Sequence, residues 1–129
     1  MNNLPNFPKV FGTEIGLSEK SMSIIHDIFL QFPQVEKVIL YGSRAMGTFW
    51  EGSDVDMTII ADKTFSSDDL LKVSALFSDS YLPYFVDLSI FSKLQNTDLI
   101  DHIKRNGKVL YQKTSCNGDC NGYRPSAKQ

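Results

Sequence analysis

The chain has 129 residues, 42% of them hydrophobic and 22% charged, which is typical of one globular domain. The formal net charge of −2 argues against direct binding of nucleic acid, because proteins that grip it usually carry a basic surface. The apolar runs are too short to span a bilayer, and no charged and apolar leader opens the chain. We therefore expect no membrane association and a cytoplasmic location.

Charge is unevenly distributed along the chain. From Lys104 onward there are six basic residues and one acid, a net of +5, so the preceding part carries −7. The two cysteines, Cys116 and Cys120, are too few for a four-ligand zinc site, and we interpret them as free thiols. Free thiols agree with a cytoplasmic protein.

Helical and strand patterns alternate along the chain. In chain order we first predict a helix of about 14 residues capped by Ser18, a strand at 35–41 and a connection at 44–53 with room for a helical turn. A strand at 54–61, a helix capped by Ser66 or Ser67 and a strand at 84–91 follow. The last predicted elements are a helix that begins at Asn96 or Thr97 and ends at Gly107, and a short strand at 108–112.

This order predicts an α/β (α+β) fold, a small mixed sheet flanked by helices. We expect an irregular lead-in at 1–16, a folded domain at 17–112 and a flexible tail at 113–129. In the helix after Ser66, residues Leu70, Leu71, Val73, Ser74 and Phe77 form the predicted inward stripe.

Two carboxylates begin the second predicted strand. Asp54 and Asp56 are two residues apart, so on a strand they face the same side. Like charges this close repel, and a divalent cation such as Mg²⁺ relieves the repulsion. A lone D-x-D at a strand start is also compatible with two solvated acids.

A small turn follows the first predicted strand. Gly42 lets the backbone approach a ligand closely, and Ser43 adds a hydroxyl, so the pair can hold phosphate oxygens or form an ordinary turn. Arg44 can bind a phosphate or extend along the surface. Asp87, an acid inside an apolar strand, converges with Asp54 and Asp56 if the two strands are adjacent, or else faces solvent.

The combined pattern is more specific than its parts. The motif G-S-R-A-x-G at 42–47, then S-D-x-D at 53–56, then a hydrophobic strand carrying an acid resembles the DNA polymerase β-like nucleotidyltransferase superfamily. The small size resembles the minimal nucleotidyltransferases, and the resemblance covers residues 18–112.

The resemblance implies a fold and a site. It implies that 17–112 is a polymerase β-like nucleotidyltransferase core in which Gly42 and Ser43 hold the terminal phosphates of a nucleotide. Asp54 and Asp56 would ligate one or two Mg²⁺ ions, and Asp87 would complete the metal site and help deprotonate an acceptor hydroxyl. The implied substrate is ATP or another nucleoside triphosphate, attacked at its α-phosphate.

The resemblance also implies a partner. Minimal members typically act as antitoxins that transfer AMP to a tyrosine of a HEPN-domain toxin, so we expect a HEPN partner in a hetero-oligomer. Two alternatives stay open: a small-molecule nucleotidyltransferase with a separate substrate-binding subunit, and an antitoxin that neutralises its partner by contact alone. We expect His26 and His102 to lie at the surface or at helix ends. We expect Phe49-Trp50 to pack the loop, to stack a base or to contact a partner.

Overall fold

The computed structural model describes residues 15–50 and 52–113. The elements are α1 (Glu19–Leu30), β1 (Val35–Tyr41), α2 (Ser43–Met46), β2 (Val55–Ala61), α3 (Ser67–Ser78), β3 (Val86–Ile90), a 3₁₀ turn (Phe91–Lys93), α4 (Thr97–Asn106) and β4 (Lys108–Gln112). The four strands form one mixed sheet in the order β3-β2-β1-β4. This architecture confirms the predicted α/β fold class.

Local capping determines where three helices begin. The Ser18 hydroxyl accepts a hydrogen bond from the Ser21 amide at 3.1 Å, and Asn96 caps α4 through its side-chain oxygen. At α3 the caps are reciprocal, since Ser66 and Asp69 each accept from the other's backbone amide. Such side chains satisfy amides that the first turn of a helix leaves unpaired.

The sheet separates two apolar clusters. Strand β1 pairs antiparallel with β2 and β4, whereas β2 pairs parallel with β3, which α3 connects to it. Helices α1 and α3 cover one face, where Val38, Leu40 and Met57 are fully buried. Helix α4 covers the other face, where Ile39 packs near Ile103. The alternation of side chains along β1 therefore supplies both clusters.

Two expectations, one about β2 and one about α3, need correction. Asp54 lies outside β2, because the ladder to β3 begins with the pair Val55 and Val86. The inward stripe of α3 is narrower than predicted: Val73 and Phe77 are buried, but Leu71 is 68% exposed. The reason is the helical period, since residues two apart point to nearly opposite sides.

His26 also differs from its predicted surface position. It is buried on α1 and meets the Tyr111 ring edge-on, with centroids 5.5 Å apart. Burial lowers the pKa of His26, and a hydrogen bond with the Leu110 backbone and the nearby Asp27 charge partly oppose this effect.

Within residues 15–50 and 52–113, no helix has the length and apolar character needed to cross a membrane. Ile15, placed in the predicted lead-in, is buried in the larger cluster. Most of that lead-in, the tail after residue 113 and both cysteines lie outside the described residues.

Candidate active site

The predicted site residues meet at one end of the sheet. Because β1 runs antiparallel to β2, and β2 parallel to β3, the end of β1 lies beside the starts of β2 and β3. The register makes Tyr41 the partner of Asp56 and makes Asp56 the partner of Asp87. These three side chains form a row on the face that carries α4.

Electrostatics show that the carboxylates interact. Asp56 is half-buried, whereas Asp54 and Asp87 are exposed. Burial raises the pKa of Asp56, and the charges of Asp87 and Asp54 raise it further, with His102 opposing them. The described structure therefore brings Asp54 and Asp87 each within electrostatic reach of Asp56.

The donor set suits a hard cation without enclosing one. Among the residues that the structure describes, no three His, Cys, Asp or Glu side chains form a ready metal-binding group. Mg²⁺ is commonly held by one or two carboxylates together with waters and substrate phosphates, so an enclosed protein site is not required. Asp56, whose charged form its neighbours disfavour, fits such a site with Asp54 or Asp87 as the second ligand.

The Gly42–Ser43 turn lies directly against this cluster. Gly42 has φ +81° and ψ −157°, a conformation essentially restricted to glycine. A Cβ added there would overlap Oδ2 of Asp56. Two independent constraints, the dihedral angles and the packed carboxylate, thus require glycine at this position, and Ser43 begins α2 immediately after it.

Arg44 is buried, with 1% of its surface exposed. Its guanidinium donates to the carbonyl oxygens of Ile15, Gly16 and Ser53, at distances from 2.9 to 3.2 Å. It also lies over the Tyr84 ring, 4.4 Å from the centroid. Arg44 therefore links the segment before α1, the residue preceding Asp54 and the residues that lead into β3. Contact of Arg44 with a phosphate stays a prediction.

Phe49 and Trp50, which follow α2, lie in different environments. Phe49 packs beside Arg44, with the guanidinium carbon 5.1 Å from its ring centroid. Trp50 is 78% exposed. Phe49 thus packs the loop, as predicted. Base stacking or contact with a partner by Trp50 stays a prediction.

Sequence reasoning missed His102. Its Nε2 accepts a hydrogen bond from the Gly42 amide at 3.1 Å, although the two residues are 60 positions apart. Its ring also meets Tyr41 edge-on, at 6.2 Å between centroids. The available signal was its placement beside Ile103 on the amphipathic helix α4, which directs His102 toward the sheet.

Tyr41 contributes a hydroxyl near the acids. Burial raises the pKa of Tyr41, the charge of Asp87 and, more weakly, that of Asp56 raise it further, and a hydrogen bond with the Ser89 side chain opposes them. Ser89 also donates to Thr58 at 2.9 Å. Tyr41 therefore stays protonated at neutral pH and presents a neutral group beside the carboxylates.

Comparisons with known proteins show what this chain is similar to. The family model described as "Polymerase beta, Nucleotidyltransferase" matches residues 24–115, which include the Gly42–Ser43 turn and all three acids. A sequence comparison with curated proteins gives no match.

Several solved structures share the fold. A toxin–antitoxin crystal structure with AMP-PNP is 24% identical, with a TM-score of 0.60, and the match covers 71% of this chain and 73% of that one. A tri-AMPylated Shewanella oneidensis HEPN toxin in complex with MNT antitoxin matches at 21% identity and a TM-score of 0.55, covering 74% and 72%. A Sulfolobus solfataricus putative nucleotidyltransferase matches at 18% identity and a TM-score of 0.50, covering 74% and 79%.

Proposed function

Because the chain belongs to the polymerase beta nucleotidyltransferase family, we propose that it transfers AMP from ATP to a hydroxyl group, with Mg²⁺ as cofactor in a one- or two-ion site. The observation that carries the proposal is the strand register that aligns Asp56 with Asp87 next to the Gly42–Ser43 turn. Family membership defines the reaction class, whereas ATP, Mg²⁺ and the acceptor are parts of the proposal.

Each site residue has a role that follows from its position. Ser43, with Gly42, holds the terminal phosphates of the nucleotide, and Asp54 and Asp56 hold the cation. Mg²⁺, when bound, supplies positive charge against the phosphate oxygens. Arg44 fixes the loop that leads to Asp54 through its hydrogen bonds to the carbonyl oxygens of Ile15 and Ser53.

The chemical step needs positioning and one proton acceptor. The acceptor oxygen forms a bond to the α-phosphorus in line with the leaving group, and the bond from that phosphorus to pyrophosphate breaks. Asp87 is exposed and lies beside Asp56, so it is placed both to complete the metal site and to take the hydroxyl proton from an incoming acceptor.

The proposed acceptor is a tyrosine of a HEPN-domain toxin, with this chain as the antitoxin. Support comes from two solved structures of the same fold, one a toxin–antitoxin complex with AMP-PNP and the other containing an AMPylated HEPN toxin with its MNT antitoxin. A cytoplasmic location, where ATP is available, belongs to the same proposal.

Intact-mass measurement of a co-expressed HEPN partner tests the proposal. With the wild-type chain and Mg²⁺·ATP, we expect the partner to gain one or more AMP units. The variant Asp54→Asn/Asp56→Asn should lower transfer by about 100-fold or more, because the charge at the reacting phosphates is no longer offset. Asp27→Asn, which changes an exposed acid on α1, is the matched control and should leave transfer unchanged.

Two outcomes would contradict the proposal. If the double variant still protects cells fully from the partner, neutralisation works by contact and not by transfer. If the partner gains no mass but a small hydroxylated molecule accepts AMP, the chain is a small-molecule nucleotidyltransferase.

A further inference from the structure

The Gly42 amide donates a hydrogen bond to a side chain that lies 60 positions later in the chain. Its N–H donates to His102 Nε2 at 3.1 Å. His102 is half-buried, between the Tyr41 ring and Asn106. Gly42 has the glycine-only conformation of the turn, so this hydrogen bond restrains the residue with the widest choice of backbone angles.

The hydrogen bond determines the tautomer of His102. Because Nε2 accepts from an amide, it carries no proton, and a neutral imidazole then carries its proton on Nδ1. Asn106 lies next to that atom, with its side-chain amide 3.2 Å from Nδ1. The same side-chain nitrogen of Asn106 donates to the backbone oxygen of His102 at 3.3 Å, so Asn106 packs beside the ring from the next turn of α4.

We propose that His102 is a positioning residue for nucleotide binding: its Nε2 holds the Gly42 amide so that the turn stays packed against Asp56. This inference rests on the proposed function and deepens it. Since His102 occupies the Gly42 amide, Gly42 contributes to the phosphate site through its backbone conformation, and Ser43 supplies a hydroxyl donor. His102 itself touches no substrate in this assignment.

Matched substitutions separate a hydrogen-bonding role from simple filling of space. In His102→Gln the side-chain oxygen reaches about as far as Nε2 and still accepts from the Gly42 amide, whereas His102→Leu fills the space without an acceptor. One lost hydrogen bond corresponds to roughly a tenfold change in an equilibrium constant. We therefore expect His102→Leu to raise KM for ATP about tenfold with kcat within about threefold, and His102→Gln to stay near wild type.

Arg105→Ala is the control for α4. It changes an exposed side chain that forms a surface ion pair with Asp101, and we expect KM for ATP and Gly42 exchange to stay at their wild-type values.

Amide exchange in the nucleotide-free protein supplies a readout that does not depend on catalysis. We expect the Gly42 amide to exchange at least about tenfold faster in His102→Leu than in wild type and His102→Gln. Equal protection of Gly42 in His102→Leu would overturn the inference. So would a His102→Gln variant as impaired in KM as His102→Leu, because the ring would then act only by its volume.

The two proposals can fail separately. If the wild-type chain transfers no AMP, the proposed function fails. Binding of a nonhydrolysable α,β-methylene ATP analogue and the Gly42 exchange rates still decide the role of His102. If transfer proceeds and neither His102 variant changes KM or Gly42 exchange, only the inference about His102 is wrong.

Discussion

At the scale of single residues, Gly42 carries the strictest requirement in the site. We expect Gly42→Ala to lower the free energy of unfolding by about 3 kcal/mol, because it combines a strained backbone with the collision at Asp56. Gly47 is the matched control: it also has positive φ, at +80°, but open space around it, so Gly47→Ala should cost only about 1 kcal/mol. Urea denaturation measures both.

A double variant identifies the cause of the stability loss in Gly42→Ala. In Gly42→Ala/Asp56→Ala the collision is absent, so the double variant should be more stable than the sum of the single changes by about 1 kcal/mol. Equal costs for Gly42→Ala and Gly47→Ala would show that the carboxylate contact adds nothing to the requirement for glycine.

His26 predicts a pH dependence of stability. Its folded-state pKa lies below the ordinary 6.5, so the unfolded chain binds the proton more readily. The contribution of neutral His26 to the free energy of unfolding is therefore complete above about pH 6.5. It declines as the pH falls from there toward the folded-state pKa, with a slope of at most about 1.4 kcal/mol per pH unit. His26→Phe keeps an aromatic ring against Tyr111 and should flatten this decline in urea denaturation. Parallel pH curves for both proteins would contradict the prediction.

At the scale of elements, Arg44 joins three parts of the chain that lie far apart in sequence. Arg44→Met leaves the buried carbonyl of Ile15 and the half-buried carbonyls of Gly16 and Ser53 without these donors, and we expect a loss of about 3 kcal/mol in the free energy of unfolding. Arg105→Met, at an exposed side chain on α4, should cost less than about 0.5 kcal/mol. If Arg44→Met keeps full stability but loses nucleotide affinity, Arg44 contacts the phosphates directly.

At the scale of the whole molecule, ligand binding should stabilise the fold through the acids. With Mg²⁺ and the nonhydrolysable ATP analogue at about 100 times Kd, linkage predicts about 2.7 kcal/mol of added stability. That corresponds to a rise in Tm of roughly 8–16 °C for a domain of this size. Asp54→Asn/Asp56→Asn should lose the Mg²⁺-dependent part of the rise in a thermal melt. A shift that is the same with EDTA would contradict a metal role for these residues.

Much of the fold was predictable because its signals are local. Strand β1 has the predicted bounds, and the caps at Ser18, Ser66 and Asn96 begin their helices as expected. Capping and the helical or strand period act over a few neighbouring residues, so they can be recognised without knowing the fold. Leu71 is apolar, but its angular position on α3 directs it away from the buried Val73 and Phe77.

The sequence by itself determined the family, the fold class and the acids near the turn, because the G-S and D-x-D residues are close together in the chain. Only the tertiary structure decided how these groups meet. It aligned Asp87 with Asp56 through strand register, placed His102 against Gly42 across 60 residues, and buried Arg44 under the loop. Register and burial depend on which distant segments become neighbours, and the local patterns that specify helices and strands carry no information about that.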